Sequence, residues 1–502
     1  MTVSTTSNAP ATLDADLLLV PLTQDPSEGR IEALSGRFGQ SLARAAADYE
    51  GEEGSVRVAY PEATAAPRVA LVGVGTARDL DAEAVRRGIA AASTAARDHA
   101  AEAVACLLPQ EGDLDDDTAA QALVEGFVLG AYQYRRYKTD EGAAGPSSFI
   151  VHAGPEADEE GVRAGTERGR RLAEATCTAR DLVNRSPHDK TAQAFAEMVA
   201  ASGAHYGYEV ETWGADRIQA EEMGGLLAVN KGSFDPPTFS ILRWQPEEAV
   251  NDAPVVVVGK GVMFDTGGLS LKDTKGSMDK MKSDMGGAAA VVGLFEALAA
   301  LDVPLNVIGL LPATDNRPGR KAYVPGDVIE MHSGGTVEVM NTDAEGRLLL
   351  ADALSYASST YDPALVVDLA TLTGSCIVAL GSKAAGVMAS ETEAAAERLY
   401  AIQRAGERTG ERVHPLPMYE AYKEHLDSDI ADLTNVGGSA AGAVTAGKFL
   451  EHFADAPWLH LDIAGPAFLD KPDGYAPTGG TGFGVRLLAD YLENYVAART
   501  PA

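Results

Sequence analysis

The sequence predicts an α/β protein of two domains: a smaller N-terminal α/β domain and a larger C-terminal α/β domain with a mostly parallel central sheet flanked by helices. At 502 residues, the chain exceeds the size of one ordinary hydrophobic core. Short apolar runs alternate along it with longer segments of helical periodicity. The clearest run is the four valines Val255 to Val258, a pattern typical of a strand buried on both faces, as in parallel sheets.

The N-terminal domain is expected to span residues 1–158, with residues 1–12 as a flexible tail. A helical pattern covers 82–105, and another helix follows the acidic loop at 112–117. No constellation of catalytic residues occurs in 1–150, and the glycines at 73 and 75 lack the third glycine of a dinucleotide-binding turn. We therefore expect a non-catalytic domain that serves assembly. Its predicted strands cover 16–22, 68–75, 104–109 and 146–154.

A connecting helix is expected within residues 159–187. The segment from Glu159 to Asn184 has helical periodicity and is rich in Ala, Arg and Glu. Pro187 disfavours the helical conformation in the residue before it, so the helix should end there.

The C-terminal domain, residues 188–502, alternates helices and strands more regularly. Four of its predicted strands are followed by a polar or glycine-rich stretch. Ligands of open α/β sheets bind at the carboxyl ends of the strands, so these stretches are expected to form the active site of a catalytic domain. The predicted strands cover 208–212, 238–244, 254–258, 305–312, 336–341, 364–370 and 459–465, and the polar stretches cover 260–265, 315–316, 343–347 and 371–374.

Within residues 255–350, four acids form a candidate ligand set that contains no histidine: Asp265, Asp284, Asp343 and Glu345. A single acid is most often a solvated surface residue. Buried carboxylates are costly unless they are paired or bound to a cation, and sets of oxygen ligands suit hard cations. Together with the surrounding glycines, this spacing indicates a two-metal hydrolase site. From spacing alone, Lys260 is expected to form a salt bridge with the acids.

Other catalytic classes have weaker support. HExxH and GxSxG are absent, as are GxGxxG and GxxxxGK[ST] at the run VVVVGKG, so zinc-helix proteases, serine hydrolases and nucleotide-binding proteins are disfavoured. His332 is expected to be structural, and Asp279 and Lys282 are expected on a solvated turn.

The segment NTDAEGR (341–347), with VGKGVMFDTGG (258–268) upstream, resembles the leucine aminopeptidase, or cytosol aminopeptidase, family of two-metal exopeptidases. Four further segments match in the same order, so the likeness covers most of the C-terminal two thirds of the chain, while the N-terminal third resembles the family loosely. These segments are ARDLVNRSP (179–187), ATLTGS (370–375), DIADLTN (429–435) and HLDIAG (460–465).

The resemblance implies removal of N-terminal amino acids from peptides by two divalent metal ions per subunit, zinc or manganese, with magnesium and cobalt as further candidates. One ion would be bound by Lys260, Asp265, Asp284 and Glu345, and the other by Asp265, Asp343 and Glu345. As a ligand, Lys260 would be neutral, which a neighbouring dication favours.

The same resemblance implies roles for residues around the ions. Lys272 would stabilise the oxyanion of the tetrahedral intermediate. Arg347 has no basic form at neutral pH and would instead hold a bicarbonate that acts as general base. Asn316 is expected to contact substrate, although the chain departs from the family at Arg317, where methionine is more usual. The remaining expected substrate contacts are Thr371, Leu372, Thr373 and Gly374.

The bulk composition limits partners and location. The net charge of −32 and the pI near 4.6 disfavour binding to nucleic acid or anionic membranes. Three dispersed cysteines, no signal peptide and no apolar stretch near the ~20 residues of a membrane span predict a reduced, cytoplasmic protein. The family implies a homohexamer. It also leaves open an additional or replacing non-catalytic DNA-binding role, against which the acidic charge argues.

Overall fold

A computed structural model describes residues 1–24, 26–61, 64–140, 145–390, 392 and 394–497. The chain forms two compact units, the first of residues 1–177 and 471–478, and the second of residues 178–470 and 479–502. Each unit is built on a sheet with helices, which confirms the predicted α/β class. The boundary at residue 177 lies inside the long helix that the sequence predicts as the connector.

The first unit contains a six-stranded sheet in the order β1-β6-β5-β2-β4-β3. All neighbouring strands are parallel except β3 and β4. The strands are β1 (Thr2–Thr6), β2 (Leu17–Leu22), β3 (Val56–Ala59), β4 (Val69–Gly73), β5 (Ala103–Leu107) and β6 (Ser148–His152). The helices are α1 (Glu28–Phe38), α2 (Gln40–Ala47), α3 (Ala82–Asp98) and α4 (Asp116–Ala131), and α5 (Glu159–Asn184) continues into the second unit.

The expectation of a flexible tail over 1–12 is wrong for its first part. Residues Thr2 to Thr6 form β1, a parallel edge strand paired with Ser148 to His152. Threonine and valine favour extended backbone, and the open edge of β6 supplies the hydrogen-bond partners that an isolated tail lacks. Val3 also packs against the core of the unit.

The second unit is built on a nine-stranded mixed sheet in the order β16-β15-β18-β14-β9-β11-β8-β7, with β10 paired to β11. Its centre, β18-β14-β9-β11, is parallel, whereas β7, β8 and β15 join by antiparallel pairs. The sheet strands are β7 (Glu209–Trp213), β8 (Thr238–Trp244), β9 (Val255–Gly259), β10 (Gly261–Asp265), β11 (Val307–Asn316), β14 (Leu365–Ala370), β15 (Ala385–Ala389), β16 (Val413–Pro415) and β18 (Trp458–Asp462).

Five shorter strands lie outside this sheet: β12 (Val328–Glu330), β13 (Thr336–Glu338), β17 (Leu433–Thr434), β19 (Phe468–Leu469) and β20 (Gly479–Gly480). The expectation that 336–341 completes the main sheet is therefore wrong, because β13 pairs with β12 and β17 instead. Only Val337 of β13 is fully buried, which fits a strand covered on one face.

Helices cover both faces of the main sheet. They are α6 (Ala192–Tyr206), α7 (Ala215–Ala220), α8 (Gly224–Asn230), α9 (Gly286–Ala300), α10 (Gly346–Tyr361), α11 (Gly374–Leu380), α12 (Ala395–Thr409), α13 (Gly442–Glu451) and α14 (Val485–Ala497). Among the described residues, only the stretch Met278–Ala300, which ends in α9, is long and apolar enough to span a membrane. In its apolar 18-residue window, 94% is buried inside the protein, as expected of a core helix that is apolar on all sides.

Candidate metal centre and active site

Three strand ends and one helix start meet at the carboxyl edge of the main sheet. Lys260 follows β9, Asp265 ends β10, and Thr371 follows β14. Glu345 immediately precedes α10. A side chain at Gly346 would place its Cβ 2.4 Å from Lys260 Cε, so a larger residue there would displace the end of the lysine side chain.

Asp265, Asp284 and Glu345 form the centre of this cluster. One carboxylate oxygen from each lies within 4.8 Å of the others. The three residues are 2%, 3% and 1% exposed, so water solvates these carboxylates very little. Such an arrangement is stable only with positive charge nearby.

Lys260 supplies part of that charge. Its Nζ donates hydrogen bonds to Asp284 Oδ1 at 2.8 Å and to the carbonyl of Thr371 at 3.1 Å, and it lies 3.0 Å from Glu345 Oε1. This is the salt bridge expected from spacing alone. If Lys260 bound a metal ion, its amine would be neutral, and its ionic contacts with Asp284 and Glu345 would be replaced by a bond to the metal.

Lys272 neutralises the other side of the cluster. Its Nζ lies 2.9 Å from Asp265 Oδ2 and 2.5 Å from Asp343 Oδ1. Asp343 is the most exposed acid of the four, with 31% of its side chain accessible. With all groups ionised, four carboxylates face two ammonium groups, so the cluster retains an excess of negative charge.

The pKa values reflect this crowding. Burial, with a further contribution from Glu345, raises the pKa of Asp265 to about 7 and also raises that of Asp284. Burial opposes ionisation of Glu345 as well, but Lys260 and Lys272 outweigh it and lower the pKa of Glu345. The acids in turn outweigh burial at both lysines and raise their pKa values. The acids therefore compete for too little positive charge.

Apart from Asp343 Oδ1, which pairs with Lys272, two carboxylate oxygens of the acid cluster have no hydrogen-bond partner in the described part of the chain. Asp284 Oδ2 and Glu345 Oε2 are both buried and have no hydrogen-bond partner there. An orphaned buried carboxylate oxygen is costly unless a cation or a donor meets it. The donor set is carboxylate-rich and lies where divalent cations would satisfy these atoms, so the residues fit a divalent metal centre.

Arg347 lies in the first turn of α10 and is 8% exposed. Its Nη1 donates to the carbonyl of Asn435 at 2.8 Å, while its buried Nε has no hydrogen-bond partner among the described residues. Burial lowers the pKa of Arg347 to about 10, which still leaves the group charged at neutral pH. The side chain can therefore receive an anion.

The expected substrate contacts divide into buried and accessible groups. Asn316 is fully buried, and its Nδ2 donates to Asp265 Oδ1 at 2.8 Å and to the carbonyl of Thr342 at 2.9 Å. In this structure its amide orients Asp265, and contact with substrate stays a prediction. Of 371–374, Thr373 is buried, Thr371 and Leu372 are half-buried and Gly374 is exposed.

Other polar residues lie apart from the acids. His332 Nδ1 contacts Ser355 Oγ at 2.8 Å, which supports a structural role. Asp279 is exposed, as expected, but Lys282 is half-buried and donates to the carbonyl of Asn184 at 3.2 Å. Cys106 and Cys376 are buried free thiols.

Sequence reasoning missed three supporting residues. Thr342, fully buried, donates to the carbonyl of Gly267 at 2.7 Å. Asp462 accepts a 2.6 Å hydrogen bond from Thr373 Oγ1, and Asn435 holds the segment before α10. Asn435 and Asp462 lie inside DIADLTN and HLDIAG, but the pattern of those segments does not indicate which side chains point inward.

The chain is similar in sequence to the cytosol aminopeptidases. The profile of the cytosol aminopeptidase family, catalytic domain, matches residues 177–489, and that of the family's N-terminal domain matches residues 20–141. A probable cytosol aminopeptidase of Chloroherpeton thalassium is 42% identical over 517 residues, covering 99% of this chain and 100% of that one.

Two solved structures are similar to this chain in both fold and sequence. The bottromycin maturation enzyme BotP in complex with Mn is 35% identical, with a TM-score of 0.85 over 96% of this chain and 99% of that chain. A tomato leucine aminopeptidase mutant is 29% identical, with a TM-score of 0.86 over 98% of this chain and 96% of that chain.

Proposed function

Because this chain belongs to the cytosol aminopeptidase family and is an aminopeptidase, we propose that its acid cluster binds two divalent ions for hydrolysis of the N-terminal peptide bond. The observation that carries the proposal is the pair of buried, unpartnered oxygens, Asp284 Oδ2 and Glu345 Oε2, beside Asp265. Divalent metal use is also supported by the manganese-bound relative.

We propose that residues of the acid cluster serve as the ligands of both ions. One ion is held by Lys260, Asp265, Asp284 and Glu345, and the other by Asp265, Asp343 and Glu345. Ions bound in such a centre supply Lewis acidity, which polarises a carbonyl and acidifies water. Zinc or manganese is the proposed metal, with magnesium and cobalt as further candidates.

The two cations of the site have different tasks. Lys272, 15% exposed, can turn its ammonium toward the carbonyl oxygen of a bound peptide once ions compete for Asp265 and Asp343. Its charge then stabilises the oxyanion as it forms. Arg347 orients an anion with its unpartnered Nε, and bicarbonate is the proposed anion because it can accept the proton that arginine cannot.

Substrates are peptides with a free N-terminus. The segment 371–374 is proposed to contact the peptide backbone, since Thr371 and Leu372 are half-buried and Gly374 is exposed. Asn316 is proposed to orient Asp265, to which its Nδ2 donates a 2.8 Å hydrogen bond. It is also proposed to contact the amino end of the peptide.

The wider assignments rest on the family. We place the protein in the cytoplasm as a homohexamer, with 1–158 as a non-catalytic assembly domain, 159–187 as the connector and 188–502 as the catalytic domain. No finding favours the DNA-binding alternative, and a net charge of −32 opposes it. A gel shift at physiological salt tests it directly.

The decisive experiment uses exhaustively chelated protein and a panel of aminoacyl chromogenic substrates. Chelation should abolish hydrolysis, and adding zinc, manganese, magnesium or cobalt singly should identify the metal that restores it. Full activity in protein shown by elemental analysis to be metal-free would refute the proposed site.

A further inference from the structure

Asn435 is bound to one short segment by all of its polar groups. It lies directly after β17, is fully buried, and makes six hydrogen bonds to residues 338–347. This segment runs from the end of β13 into α10 and carries Asp343, Glu345 and Arg347. The DIADLTN stretch therefore contributes to the site without supplying a ligand.

The side-chain amide of Asn435 forms hydrogen bonds with the segment on both sides of Asp343. Its Oδ1 accepts hydrogen bonds from the backbone N–H groups of Met340 at 2.8 Å and Asn341 at 3.3 Å. Its Nδ2 donates to the carbonyls of Asn341 at 2.7 Å and Ala344 at 3.4 Å. Both acceptor positions and both donor hydrogens of the amide are thus used.

The main chain of Asn435 holds the two ends of the segment. Its N–H donates to the carbonyl of Glu338 at 2.9 Å, and its own carbonyl accepts from Arg347 Nη1 at 2.8 Å. One residue therefore sets the position of the loop and of the guanidinium together.

Asp343 depends on this support more than the other acids do. Asp265 ends a sheet strand, and Glu345 begins a helix and contacts Lys260, whereas Asp343 lies in the loop with 31% of its side chain exposed. Its own N–H is held by Asn341 Oδ1 at 2.8 Å, and Asn341 is in turn held by Asn435.

We propose that Asn435 is a positioning residue: its amide fixes the loop that presents Asp343, so that binding of the ion held by Asp343 depends on it. The inference rests on the proposed function, since it presumes that the acids bind divalent ions. Asn435→Asp has nearly the same shape but places an oxygen against the carbonyls of Asn341 and Ala344, which repels the loop.

Asn251 offers a matched control. It is 4% exposed, its Nδ2 donates to the carbonyls of Ala253 at 2.9 Å and Asn306 at 3.1 Å, and its Oδ1 accepts from the N–H of Asn306 at 2.8 Å. It precedes β9 at the amino end, whereas Lys260 follows the carboxyl end of that strand. Asn251→Asp should therefore destabilise the fold similarly without affecting the ions.

The test is calorimetric titration of the chelated full-length protein with manganese alone, with thermal unfolding and kcat measured on the same samples. For Asn435→Asp, the dissociation constant of one ion should rise about tenfold or more, while that of the other changes little. The kcat should fall even at saturating manganese. Asn251→Asp should bind manganese as the wild type does.

Wild-type affinities in Asn435→Asp, or an equal change in Asn251→Asp, would overturn the positioning role. A wild-type protein that binds no manganese or other divalent ion would instead overturn the proposed function. If Asn435→Asp does not fold, Asn435→Ser, which retains one hydroxyl partner for the loop, is measured instead. The same changes in manganese affinity and kcat are expected of it, and wild-type affinities would likewise overturn the positioning role.

Discussion

Replacing Lys272 by alanine should make metal binding tighter while turnover falls. Its Nζ lies 2.9 Å from Asp265 Oδ2 and 2.5 Å from Asp343 Oδ1, so the ammonium occupies carboxylate oxygens that the proposed ions need. Its removal leaves these acids available to cations and also removes a like charge from beside them. The same charge should stabilise the developing oxyanion, an interaction that acts mainly in the transition state.

The magnitude follows from the geometry. Two unit charges ~4 Å apart interact by about 4 kcal/mol at an effective dielectric constant of about 20. Since Lys272 is 15% exposed, water screens part of this interaction. A net change of ~1–3 kcal/mol corresponds to a decrease of roughly 5- to 150-fold in the metal dissociation constant. Loss of an oxyanion donor typically lowers kcat by about 10²–10³-fold.

The assay combines calorimetric metal titration of chelated protein with steady-state kinetics on an aminoacyl chromogenic substrate. Lys275→Ala is the control, because it removes the same charge from an exposed position in the same loop. It should change neither the metal affinity nor kcat appreciably. If Lys272→Ala were purified without ions, or bound them more weakly, Lys272 would be a ligand or a structural group and the assigned role would be wrong.

Three further changes test other parts of the structure. Asp284→Asn keeps the shape of a ligand but removes its charge, so the protein should lose bound metal together with activity; normal metal content by elemental analysis would contradict this. Lys190→Met should lower the free energy of unfolding by about 2–5 kcal/mol, because the fully buried Nζ donates to the carbonyls of Leu182, Val183 and Lys282. Unchanged denaturant unfolding would show that those carbonyls find other donors. Arg86→Met, in the N-terminal unit, breaks a buried 2.5 Å ion pair with Glu125 and should destabilise the fold by about 3–5 kcal/mol. The folded fraction should keep wild-type kcat, and a loss of turnover in intact, assembled protein would contradict the non-catalytic role of this domain.

The central features of the fold were predictable because they depend on local composition. Four valines without a polar residue between them cannot lie on a half-solvated surface, and Val255 to Val258 form the fully buried β9 in the parallel centre of the sheet. A helix as apolar as α9 must likewise be covered on all sides. Acids directly after such strands cannot be solvated freely, so their residue types alone indicated positive charge or cations.

What the sequence could not determine depends on partners distant in the chain. Thr2 to Thr6 become a strand because the edge of β6, some 145 residues away, offers open backbone groups. Residues 336–338 lie outside the main sheet because β12 and β17 supply their hydrogen-bond partners.

The site divides in the same way. Residue types and spacing within 255–350 pointed to Asp265, Asp284, Asp343 and Glu345, since charge and spacing are local properties. Only the tertiary structure decides which of the acids Lys260 contacts, namely Asp284 and Glu345, and that Asn435 holds the loop of Asp343. A hydrogen bond requires atoms to approach to about 3 Å, and that distance is set by how the chain folds back on itself.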